Sequence, residues 1–154
     1  MLTPDEIREI EEEVATLPAR SSAVIGALKI VQRHRRHVDD ATLADVARLL
    51  EMSADEVESV ATFYNLIFRR PVGRHVILTC DSVSCWIMGG DTVRQRLRER
   101  LGVRDGETTP DGRFTLLTIP CLGACDHAPA AIIDEDLHQD LTPERLSDIL
   151  EAYR

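Results

Sequence analysis

The chain of 154 residues predicts an α+β protein in two parts, a helical bundle over residues 1–70 and a second domain over residues 71–154. Apolar residues recur at helical spacing from Ile7 to Tyr64, then give way after Pro71-Val72-Gly73 to short apolar runs typical of strands. The only four cysteines, Cys80, Cys85, Cys121 and Cys125, fall in two close pairs, both in the second part.

Thr3-Pro4-Asp5-Glu6 reads as a capping box with proline in the first helical turn, and Ile7, Ile10, Val14 and Leu17 follow on one face. Pro18 stops that helix, and Ser21 or Ser22 starts the next, whose apolar stripe holds Val24, Ile25, Leu28 and Val31. A third helix is predicted over residues 42–50. Ser53-Ala54-Asp55-Glu56 caps a fourth, which carries Val57, Val60, Ala61 and Tyr64. Phe63, Tyr64 and Phe68 sit at a spacing that predicts core. The stripes are nonetheless wider than a thin bundle can bury, so the Val60–Phe68 segment is also a candidate docking surface.

In the second part HVILT (75–79), RFTLLTI (113–119) and AAIID (130–134) read as strands, with a short fourth around residues 137–141. Asp91 is the predicted N-cap of a helix over residues 92–101, and Thr142-Pro143-Glu144 opens the last helix. Both cysteine pairs then lie just after strands, where two loops at one sheet end bring four sulfurs together. Trp86 is expected to pack over the first loop.

The formal net charge of −9 argues against nucleic acid, which needs a basic surface. Local basic runs read as helix C-termini (residues 34–37; Arg69-Arg70) or as a solvated face (Arg94, Arg96, Arg98, Arg100). The acidic N-terminus has neither a basic n-region nor an apolar h-region, and no apolar run reaches membrane-spanning length. A cytoplasmic chain without direct membrane insertion is expected, where disulfides are rare.

The cysteines read C-x4-C and C-x3-C, 35 residues apart. Four thiols are the number that closes an iron–sulfur site. Structural zinc is the competitor and stays open on spacing alone, although its turns are usually C-x2-C. A Rieske centre needs two histidines; His127 has no counterpart in the first loop and reads as a polar loop residue. A redox dithiol needs C-x-x-C, which neither pair has. Gly123 and the small residues of both loops can turn N–H groups toward sulfur, while Asp81 and Asp126, each directly after a cysteine, would lower a reduction potential. The pattern therefore favours a low-potential one-electron carrier with a [2Fe–2S] cluster. No nucleophile–base pair or phosphate loop accompanies it.

VATFYNLIF (60–68), CDSVSC (80–85), PDGRFTLLTIPCLGACDHAPA (110–130) and IDEDLHQDLTPE (133–144) resemble the E-subunit family of bacterial NADH–quinone oxidoreductase, respiratory complex I. The resemblance spans nearly the whole chain and implies a thioredoxin-like [2Fe–2S] ferredoxin domain behind the helical bundle. It implies Cys80, Cys85, Cys121 and Cys125 as ligands of one cluster. FMN and NADH belong, on the same resemblance, to a partner, the flavin- and NADH-binding F-subunit. Other peripheral-arm subunits complete an enzyme held on the cytoplasmic side of the inner membrane, and this chain alone has no complete active site. The family's cluster lies near the flavin yet off the main route to quinone. Sister subunits of NAD-linked hydrogenases and formate dehydrogenases share the four cysteines; the FYNLIFRRPVGRH join and the closing text are closer to complex I. In such a sheet a proline, sometimes cis, precedes the strand beside the active loop, and Pro129 takes that place.

Overall fold

Thr3 caps the first helix, α1 (Pro4–Ala15), by accepting from the Glu6 N–H, while the Glu6 carboxylate accepts in return from the Thr3 N–H at 2.7 Å. This and the rest of the architecture come from a computed structural model that describes residues 1–153. The chain divides into two compact units, Met1–Pro71 and a second from Val72 onward.

In the first unit a 3₁₀ turn at Arg20–Ala23 leads into α2 (Val24–Arg35), so no serine caps that helix as the sequence predicts. Arg20 reaches instead to the Leu49 carbonyl and the Glu11 carboxylate, which holds the turn from outside. Helix α3 (Asp40–Leu50) is capped by Asp39 and starts two residues earlier than expected. Helix α4 (Ala54–Phe63) opens on the Ser53–Glu56 capping box. Ile10, Leu28, Val31, Val46 and Val57 are wholly buried where these helices meet.

Two expectations fail at the end of α4. The helix stops at Phe63, so the period that pointed Tyr64 inward no longer applies; Phe63 is 79% exposed, and Ile67 turns into the core instead. Arg69 lies beyond the helix and pairs with Asp40 at 2.6 Å and Glu58 at 2.7 Å, so it is not a C-terminal dipole partner. In α2, Arg35 does more than face a helix end, because it binds the buried Glu6.

The second unit holds a four-stranded mixed sheet in the spatial order 114–119, 75–80, 131–133 and 136–138. Strand β1 (His75–Cys80) is followed by the one-turn α5 (Val83–Ile87) and by α6 (Gly90–Leu101), which together cross to β2 (Phe114–Ile119), parallel to β1. Strand β3 (Ala131–Ile133) pairs antiparallel with β1, and β4 (Asp136–His138) antiparallel with β3. The closing helix α7 (Leu146–Ala152) begins after a turn at Thr142–Arg145, later than the sequence predicts. Ile77, Leu97 and Leu116 form the centre of the core between sheet and helices.

Three details near the cysteines differ from expectation. The N-cap of α6 is Gly89 in the left-handed region at φ 90°, and Asp91 sits inside the first turn. Helix α5 is not expected from the periodicity. Trp86 is 60% exposed rather than packed over its loop. Ala128–Pro129 is cis. No single helix among the described residues is long and apolar enough to cross a membrane.

Candidate metal centre

Parallel pairing of β1 with β2 places Cys80 directly opposite Ile119, so the chain leaves both strands at one sheet end and enters both cysteine loops there. Cys80 closes β1, and Cys85 follows in α5, whose N-cap is Ser82. Cys121 and Cys125 bracket the turn after β2, where Gly123 has φ 77°, a conformation that only glycine adopts without strain.

All four thiols are free, the first pair buried and the second exposed. The Cys121 and Cys125 sulfurs are 3.7 Å apart. Two thiolates held about 2.3 Å from one tetrahedral ion lie about 3.8 Å apart, so this pair has the bite one metal requires. Cys80 and Cys85 lie together in one small buried cluster. Leu122 and Ala128 pack on the buried pair, which joins the two loops into one small cluster. No three His, Cys, Asp or Glu side chains among the described residues converge closely enough to hold a single ion. The sulfurs fall in two groups, one in each cysteine loop.

Backbone donors are arrayed for a negatively charged guest. The Gly123 N–H donates to the Cys121 sulfur at 3.3 Å. The backbone groups of Ser82 and Leu122 favour the Cys80 thiolate, and that of Ala130 favours the Cys85 thiolate. Burial opposes ionisation of Cys80, yet hydrogen bonds from Ser82, Cys85 and Leu122 together hold its pKa below the ordinary thiol value. Burial pushes Cys85 the other way, with Cys80 as a further cause. A metal ligand must be a thiolate, and donors to these sulfurs favour that form.

Gly90 fixes how closely α6 approaches. A Cβ there would lie 2.7 Å from the Cys85 carbonyl oxygen, inside the contact distance of any real side chain. Gly90→Ala therefore has to push α6 away from the Cys85 backbone, at a cost of about 1–3 kcal/mol. The expected result is a folded chain with reduced iron and sulfide content and an altered visible spectrum. A parent-like spectrum would show that the loop tolerates the shift.

The Asp140 carboxylate accepts from His127 Nδ1 at 3.1 Å, as suits a polar loop residue. Two charges differ from what the sequence predicts. Asp81 is not an isolated negative charge, because the guanidinium of Arg94 binds it and Asp91 together. Arg94 is not on a solvated face: its side chain is only 13% exposed. The contact is tertiary, thirteen residues away in sequence, and helical spacing carries no signal of it.

A site built from paired thiols on a mixed sheet of this order has known relatives. The model of the thioredoxin-like [2Fe-2S] ferredoxin family matches residues 10–154. The chain belongs to this family.

Among curated relatives of this ferredoxin, the NADH-quinone oxidoreductase E-subunit of Pseudomonas aeruginosa is 46% identical over 153 residues, covering 99% of this chain and 92% of its own. The same-named protein of Escherichia coli K12 is 48% identical over the same span and shares. The E-subunit numbered 2 in Rhizobium meliloti is 42% identical over 146 residues, 95% of this chain and 87% of its own. Among solved structures, an air-oxidized NAD+-reducing [NiFe]-hydrogenase superposes with a TM-score of 0.73 at 25% identity over 85% of this chain. There the matching part is 22% of a longer polypeptide.

Proposed function

We propose that this ferredoxin is the electron-transfer E-subunit of an NADH–quinone oxidoreductase, with Cys80, Cys85, Cys121 and Cys125 holding one [2Fe–2S] cluster beside a flavin- and NADH-binding partner, the F-subunit. The observation that carries the reading is the pairing of four thiols at one sheet end, ringed by backbone N–H donors. The cluster, when bound, supplies a one-electron relay site. The chain's own residues do the rest. The backbone groups of Ser82, Leu122, Gly123 and Ala130 stabilise thiolate charge. Leu122 and Ala128 shield the buried pair, while the exposed pair leaves an edge open to a partner and to water, which favours a low potential.

FMN and NADH belong to the partner in this reading, and the assembly, with other peripheral-arm subunits, holds the chain on the cytoplasmic side of the inner membrane. An apolar surface for this flavoprotein adjoins the site: Val83, Trp86, Ile87 and Met88 are each at least 60% exposed in and just after α5. The first unit contributes its own apolar surface at Phe63, Tyr64 and Leu66. A buried tryptophan is the kind of anchor that dominates interface energy. Trp86→Ser with Ile87→Ser is expected to weaken co-purification with the flavoprotein at least tenfold, with iron and sulfide content unchanged. Undiminished capture would remove this face from the interface.

A second reading, the equivalent module of an NAD-linked hydrogenase, is favoured by the hydrogenase superposition. It has the lower identity, and the partner recovered from cells separates the two.

A further inference from the structure

We propose that Arg94 is a positioning residue that raises the reduction potential of the site by clamping Asp81, the residue after Cys80, to Asp91 in the first turn of α6. This rests on the cluster reading above.

The geometry places a cation where a redox change would feel it. Arg94 donates through one terminal nitrogen to Asp81 and through the other to Asp91, so one guanidinium ties the Cys80 loop to the start of α6. Gly90, directly before Asp91 in the chain, packs on the Cys85 carbonyl. The clamp therefore closes the segment 81–91, which carries Cys85 and begins directly after Cys80. The Asp81 backbone is itself pinned, donating to the Ile119 carbonyl at 2.9 Å, so the carboxylate has a fixed base from which to meet the cation.

The three charges do not count equally. Asp81 and Asp91 are 53% and 57% exposed, so water screens them, whereas Arg94 is 13% exposed. Its Nε is buried and has no hydrogen-bond partner among the described residues. Burial works against the Arg94 charge, but the bonds to Asp81 and Asp91 outweigh it and hold its pKa above the ordinary value. The cation thus persists at every working pH. Reduction by one electron from dithionite would add one negative charge to the iron–sulfur group that the thiolates hold. A weakly screened cation nearby favours the reduced state. Arg98, one turn on, is held by a single carboxylate, that of Asp105, which lies outside both cysteine loops, and it serves as the control.

The test is an EPR-monitored dithionite titration of the full chain carrying its cluster, with iron and sulfide determined on each sample. At the parent's midpoint, Arg94→Gln is expected to lower the reduced-to-oxidised ratio about tenfold, equivalent to about 59 mV for one electron. Asp81→Asn is expected to raise the ratio, the double variant to return toward the parent, and Arg98→Gln to leave it unchanged. A structural role alone would lower cluster content without this ordered pattern. Should Arg94→Gln fail to assemble, Asp81→Asn decides, and an unmoved midpoint there overturns the proposal. An Arg94→Gln protein with full cluster and the parent's midpoint overturns it equally. If the parent itself holds no iron and sulfide, the failure belongs to the cluster reading and not to Arg94.

Discussion

Replacing Cys121 with serine is expected to lose or badly distort the iron–sulfur chromophore while leaving the chain folded. Cys121 is exposed, so the exchange opens no cavity and disturbs no core, unlike the same change at the buried Cys80 or Cys85. What it removes is one of two sulfurs set 3.7 Å apart, and with it the bite that one iron needs. Parent protein should carry about two iron and two acid-labile sulfides per chain and give a reduced-state EPR signal. The variant should lose most of both and the signal with them. Cys125→Ser should behave alike, and Cys85→Ser should add a loss of thermal stability, because its thiol is within the small core formed with Cys80 and Ala128. Retention of full iron, sulfide and EPR signal by Cys121→Ser would rule out this ligand. Zinc in place of iron in the parent would turn the site into a scaffold.

How much of this is legible in the sequence depends on whether the signal is local. The three runs that form β1, β2 and β3 are readable because each is a short apolar stretch with its own boundaries, and the parallel partners β1 and β2 both run straight into a cysteine loop. The Thr3–Glu6 and Ser53–Glu56 boxes are readable because both partners lie within one turn. Helix α5 escapes although Ser82 is a fair N-cap, because a single turn is too short to show a period. The start of α6 is displaced because the first turn answers to the Cys85 backbone, against which only Gly90 fits, and not to the capping preference of Asp91. Arg69 and Arg94 both look like generic surface charge in the sequence. Their partners lie at sequence distances where no periodic pattern points, and packing alone reveals them.

Arg35 makes the same point, and its partner carries the second large effect. Glu6→Gln is expected to destabilise the helical unit by about 3 kcal/mol, near the lower end of the range for breaking a buried pair, because Arg35 keeps some access to water. Glu6 is 1% exposed and meets Arg35 through two bonds of 2.6 Å, while Arg35 also donates to Thr42 Oγ1 at 2.9 Å. One ion pair thereby fastens the start of α1, the end of α2 and the first turns of α3. The hydrogen bond from Arg35 is the main cause that lowers the Glu6 pKa from 4.5 to about 2, against an opposing contribution from burial. A carboxylate with a depressed folded pKa stabilises fully above its unfolded value. That stability is lost as pH falls, here from about 4.5 toward about 2, and is worth about 3 kcal/mol in all. Urea unfolding followed by helical circular dichroism should therefore show the parent weakening steeply across that window. The Glu6→Gln protein starts lower but has no carboxylate to protonate at this position, so its curve should be markedly flatter and approach the parent's near pH 2. Parallel curves, with the difference unchanged from pH 6 to pH 2.5, would mean that the pair is not the acid-sensitive clasp of the bundle.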